Sequence, residues 1–125
     1  MGYNQAVPSE TIQRWRIVYY QDRRGRRPVR EFLDGLSATD RAKVRNALQL
    51  LCEFGVLLRM PHARPVSGHR GLWELRAGAI RMFYFAHTGQ QLVILHAFRK
   101  KSQRTPAQEI AVAERRMIEI LEEEQ

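Results

Sequence analysis

The stretch LWELRAGAIRMFYF, residues 72–85, places three charged side chains, Glu74, Arg76 and Arg81, on one parity of two alternating segments. If Ala77–Gly78 is a two-residue hairpin turn, Glu74 lies opposite Arg81 and Arg76 is diagonal to it, while Trp73, Leu75, Ile80 and Met82 take the core face. A second turn centred on Thr88–Gly89 brings His96 opposite Arg81. That gives a row Glu74, Arg81, His96, with Arg76 and Phe98 in the adjoining row and Lys100 just beyond. The same face carries Phe83, Phe85, Leu92 and Ile94 towards its far end, so only the end near the first turn can be open and polar.

These residue types suit metal-independent cleavage of RNA. The 2′-oxygen must lose a proton, the phosphate must be stabilised as it becomes pentacoordinate, and the leaving 5′-oxygen must gain a proton. Arg76 and Arg81 offer bidentate forks that stay charged. Glu74 or His96 could take the proton, and Lys100, Lys101 or His96 could supply one. The plain structural alternative for Glu74 and Arg81 is a cross-strand salt pair.

The distribution of charge favours a site. Between Phe54 and Gln108 stand nine basic residues and a single acid, Glu74, whereas the rest of the chain balances and the whole carries a net +8. Cations collected on one segment are the footprint of a polyanion such as nucleic acid. FRKKSQRTP, residues 98–106, puts four cations beside Phe98, a pattern suited to backbone contact and base stacking. Arg70, Trp73, Phe98, Arg99, Lys101 and Arg104 are therefore the candidate RNA-binding residues. The lone Cys52 lies in an apolar helical run and reads as a core residue, which excludes an internal disulfide. His62, His69 and His87 read as surface histidines. No zinc spacing, phosphate-cradling glycine loop or nucleophile elbow is present, so no metal or cofactor is expected.

The surrounding pattern predicts one α+β domain over 14–125 behind a loose tail, 1–13. RWRIVYYQ reads as a strand. Pro28 opens a short helix with Val29, Phe32, Leu33 and Leu36 inward, and Gly35 ends it. Ser37 with Asp40 caps a longer helix whose Val44, Ala47, Leu48, Leu51 and Phe54 share a face up to Gly55. MPHARPVSGHRG reads as a loop. Strands near 72–77, 79–86 and 91–99 form an antiparallel meander, and Thr105 caps a last helix with Pro106 at its first position. Composition is ordinary for a globular protein, with 44% apolar and 27% charged residues. The N-terminal residues show neither a basic region nor an apolar one, so a cytoplasmic location without membrane partners is expected.

The segments MPHARPVSGHRGLWELRAGAIRMFYF and LVILHAFRKKSQRTPAQEIAVAERRM resemble the RelE/HigB superfamily of type II toxins, in its phage-derived HigB-like branch, over about Arg14 to Met117. The resemblance implies a RelE-like fold with a small antiparallel sheet, an N-terminal helical hairpin and a C-terminal helix. It implies an endoribonuclease that cuts mRNA on the ribosome and is neutralised by a helix-turn-helix antitoxin, the complex of the two binding operator DNA. Arg81 matches the strand arginine that contacts the scissile phosphate in that superfamily, Lys100 falls near its basic residue at the end of the last strand, and Arg76 matches a basic position. Leu72 and Glu74 stand where RelE has catalytic lysines, and its C-terminal tyrosine has no counterpart around Pro106. Those departures keep open a second reading, a non-catalytic module binding RNA or a partner through the same basic face.

Overall fold

The computed structural model describes residues 14–124, so the tail expected over 1–13 lies outside the described residues. Strand β1 (Arg16–Tyr19) leads to helix α1 (Pro28–Asp34), which Pro28 opens and Gly35 closes. Helix α2 (Ala38–Phe54) starts where the Ser37 hydroxyl accepts the Asp40 N–H, satisfying one of the orphan donors of its first turn. Strands β2 (Ala63–Pro65), β3 (Trp73–Ala77), β4 (Ile80–His87) and β5 (Gln91–Arg99) follow, and helix α3 (Ala107–Glu123) completes the chain.

The five strands form one sheet in the order β1-β5-β4-β3-β2. It is mixed rather than a pure meander, because β1 runs parallel to β5 while the other pairs are antiparallel. The segment read as a loop contributes β2, whose short run with Pro65 fits an edge position where a missing N–H costs no ladder bond. The α1–α2 hairpin buries one face of the sheet with Val29, Leu33, Val44 and Leu51 against Leu75, Ile80, Met82 and Tyr84. Helix α3 buries the other with Ala113 and Met117 against Phe83, Phe85, Val93 and Leu95. Among the described residues no helix is long and apolar enough to cross a membrane.

Two details reset the register expected from sequence. Gly78 has φ of 62°, so it is the first residue of a Gly78–Ala79 turn, and Arg81 consequently faces Arg76 rather than Glu74. The slip is by two residues, which preserves which side each residue takes. In the β4–β5 ladder Phe83 pairs with His96 but Tyr84 with Ile94, leaving Leu95 as an extra, bulged residue. The bulge inverts parity beyond it: Leu92 and Ile94 turn to the helical hairpin, and Val93 and Leu95 lie beneath α3. The bulge and a β4–β5 connection of three residues, Thr88–Gln90, rather than a two-residue turn, together set Arg81 opposite Phe98, and the row of Glu74, Arg81 and His96 does not form. Pro106, not Thr105, occupies the cap position of α3, and the Thr105 hydroxyl turns instead to Glu74.

Candidate active site

Helix α3 covers the middle of its face of the sheet and leaves the end around the Gly78–Ala79 turn uncovered. There the chain leaving β5 folds beside β3 and β4, enclosing a cleft of about 590 Å³. Five cations line it, Arg64, Arg76, Arg81, Lys100 and Lys101, together with Ser102 and Gln103. Arg76 and Arg81 sit directly opposite each other on β3 and β4. Like charges paired across strands are destabilising, so this arrangement is held against its own repulsion.

Arg81 is only 7% exposed. Its Nη1 donates to the carbonyls of Gly78 and Ile80, whereas its Nε has no partner among the described residues. A buried N–H without an acceptor is costly and marks a place where a ligand oxygen would be gained cheaply. Burial first, and then the neighbouring Arg76, hold the Arg81 pKa below the usual guanidinium value, with Glu74 acting the other way. Lys100 donates its backbone N–H to Ala79, which ties it to the turn. Desolvation lowers its pKa, Glu74 opposes that, and Arg81, Arg64 and Arg76 add to it.

Glu74 lies behind these cations. It is 2% exposed, pairs across the strands with Arg64, and accepts from Arg64 Nε at 2.8 Å and from Thr105 Oγ1 at 3.3 Å. Glu74 also lines a second hollow of about 300 Å³, together with Val66, Thr105 and Ile110 of α3. Arg64 and Gln103 line both spaces, so the two are neighbours that share a wall.

Of the residues singled out from sequence, Arg76, Arg81, Lys100 and Lys101 meet in the cleft, with Glu74 immediately behind and Arg104 at the second hollow. The others lie elsewhere. His96 is stacked between Phe83 and Phe98, at centroid distances of 6.5 and 5.8 Å, and its Nε2 is 2.6 Å from Glu109 of α3. Burial pushes its pKa down, against the Glu109 hydrogen bond and charge. Phe98 is 5% exposed within the α3 core and has no open face for a base to stack on. Arg99 is paired with Asp40 of α2 at 2.6 Å. Trp73 lies under the Arg59 guanidinium, and with Arg70 it lines a separate hollow. The sequence reading missed Arg64, because its segment looked like loop; its alternation with Ala63 and Pro65 opposite the LWELR strand was the available signal.

With this geometry in place, residues 31–118 match the family model described as Phage derived protein Gp49-like (DUF891). The chain belongs to this Gp49-like family. Its fold is RelE-like. It is similar to the archaeal RelE of a RelE–RelB complex from Pyrococcus horikoshii OT3, with a TM-score of 0.55 and 16% identity, covering 72% of this chain and 98% of that one. It is also similar to the isolated E. coli RelE toxin, with a TM-score of 0.50 and 14% identity, covering 78% of this chain and 95% of that one. No curated protein sequence matches it.

Proposed function

We propose that this Gp49-like protein is the toxin of a type II toxin–antitoxin pair, of the HigB-like branch, and that it acts as an endoribonuclease on ribosome-bound mRNA in the cytoplasm. The observation that carries the reading is the cleft: five cations converge on it, two of them arginines opposed across strands, and one of these, Arg81, keeps a buried N–H with no partner among the described residues. Such a place suits a phosphodiester. The RelE-like fold supports the same reading, since one neighbour is a toxin and the other was solved with RelB.

In this mechanism Arg76 and Arg81 hold the non-bridging oxygens of the scissile phosphate and stabilise the charge that builds on them. The 2′-oxygen, its proton passed to water in the open cleft, attacks phosphorus and the bond to the 5′-oxygen breaks. Lys100, its pKa lowered by desolvation and by the neighbouring arginines, hands a proton to that departing oxygen. The products are a 2′,3′-cyclic phosphate and a 5′-hydroxyl, and no metal takes part. Glu74 acts by holding Arg64 at the cleft wall rather than as the base, because it is bound to Arg64 and does not itself line the cleft. His96 serves α3. The partner is a helix-turn-helix antitoxin, and operator DNA is reached only through that complex.

The test is induction in a bacterial host. The wild-type chain should arrest growth and cut mRNA, a co-expressed antitoxin should restore growth, and Arg81→Lys should lose cleavage by roughly 100-fold because a point charge replaces a fork. Full cleavage by Arg81→Lys removes the bidentate role. Arrest without any cleavage supports the binding-module reading.

A further inference from the structure

The cationic cleft accounts for a phosphate and leaves the adjoining hollow unexplained. That hollow, about 300 Å³, is at the lower end of the ~300–1,000 Å³ typical of small-molecule sites. Its walls combine apolar groups, Pro65, Val66 and Ile110, with a few polar ones, Glu74 among them. Apolar walls with a few placed hydrogen-bonding groups are what a flat heteroaromatic ring needs. Phe98, which the sequence suggested for stacking, is buried elsewhere, so this hollow is the place beside the cleft where a base can lie.

We infer that the hollow is a nucleobase subsite specific for guanine, holding the base next to the phosphate bound in the cationic cleft, with Glu74 as its specificity-determining residue. The shared walls, Arg64 and Gln103, place base and phosphate within one nucleotide of each other. The carboxylate decides which base. Glu74 is an acceptor whose two oxygens take one hydrogen bond each from the protein, from Arg64 and Thr105, and each keeps a further lone pair. Guanine alone presents two adjacent donors, N1–H and N2–H, on its Watson–Crick edge. Adenine and cytosine place a ring acceptor beside their amino group, and uracil flanks its N–H with two carbonyls, so each sets a lone pair against the carboxylate. Arg64 holds the carboxylate in place before the base arrives, which lowers the ordering cost of binding.

The inference rests on the nucleotide-binding part of the proposed function and is separable from catalysis. Titration of the purified protein with the four nucleoside 5′-monophosphates and with inorganic phosphate, followed by methyl chemical shifts, reads both spaces. The expected result is guanosine monophosphate bound roughly ten-fold or more tightly than the other three, with shifts at Val66 and Ile110 that phosphate alone does not produce. Glu74→Gln, which sets an amide N–H₂ against guanine donors, should abolish the preference. Ser67→Trp, an exposed change on the wall that leaves the Glu74–Arg64 pair intact, should abolish it too and covers the case in which Glu74→Gln fails to fold. Equal affinity for all four nucleotides overturns the subsite even where phosphate binds and RNA is cut. A guanine preference in a protein that cuts no RNA overturns the nuclease reading and leaves the subsite standing.

Discussion

Arg76→Met tests whether the opposed arginines are held for a ligand. In the free protein Arg76 and Arg81 face each other, and the one side-chain hydrogen bond of Arg76 among the described residues is a soft one, Nη1 to Met60 Sδ at 3.7 Å. Removing the charge should therefore relieve the cross-strand repulsion, which is of order ~0.2–1 kcal/mol, while losing almost nothing in packing because methionine keeps the stem. For a domain of this size each kcal/mol moves the midpoint by about 3–5 °C, so Tm should rise by about 1–5 °C in phosphate-free, low-salt buffer. Phosphate should reverse the order. An anion that both guanidiniums grip stabilises the wild type by RT ln(1 + [L]/Kd), about 2.7 kcal/mol at a hundred-fold excess over Kd, and the variant by less. Thermal or urea denaturation of both proteins, with and without phosphate, reads the two effects. If Arg76→Met loses more than about 0.5 kcal/mol without phosphate, or if phosphate stabilises both proteins equally, Arg76 is an ordinary member of the sheet and the argument from repulsion is wrong.

Other perturbations separate structural from functional charges. Arg64→Ala should cost about 3 kcal/mol or more, since it strands the Glu74 carboxylate at 2% exposure, whereas Glu74→Gln should cost nearer 1 kcal/mol, since the Arg64 side chain, at 44% exposure, can turn to water. Urea midpoints of the two variants give that order, and the reverse order would mean that the pair is not anchored from the Glu74 side. His96 has its pKa lowered in the fold, so the unfolded chain binds its proton first. The stability this group contributes is complete above its unfolded value of about 6.5 and is lost as pH falls from there towards the lower folded value. Stability measured from pH 7 to 5 should therefore fall more steeply for the wild type than for His96→Gln, and parallel slopes would remove the histidine from that account.

Local signals in the sequence reached the helices and the open end of the sheet, because they are chemically explicit. Pro28 at a helix start and Ser37 at a cap act through neighbouring backbone groups, so reading them needs no tertiary information. The alternation through Trp73, Leu75, Ile80 and Met82 likewise placed Arg76 and Arg81 on the face away from the hairpin. What stayed illegible depends on the third dimension. The bulge at Leu95 has no residue signature, yet it reverses the facing of every residue between it and the Thr88–Gln90 turn, which is why Leu92 and Ile94 exchange sides with Val93 and Leu95. The turn was set one residue early because the positive φ falls at the first loop position rather than the second. His96 looked available in one dimension and is claimed by Glu109, thirteen residues on, once α3 packs over it. Arg64 was counted among the cations, but its place in the cleft follows only from β2 joining the sheet edge.

Metal-independent phosphodiester cleavage in the cationic cleft can be read from the RNA ends it leaves. Its most direct test is incubation of the purified protein with translating mRNA in the presence of a chelator of divalent cations, at a level that spares the ribosome, followed by chemical identification of the new RNA ends. Fragments ending in 2′,3′-cyclic phosphate and beginning with 5′-hydroxyl are expected from the wild type and not from Arg81→Lys. Intact mRNA, or 5′-phosphate ends that disappear with the chelator, would contradict it.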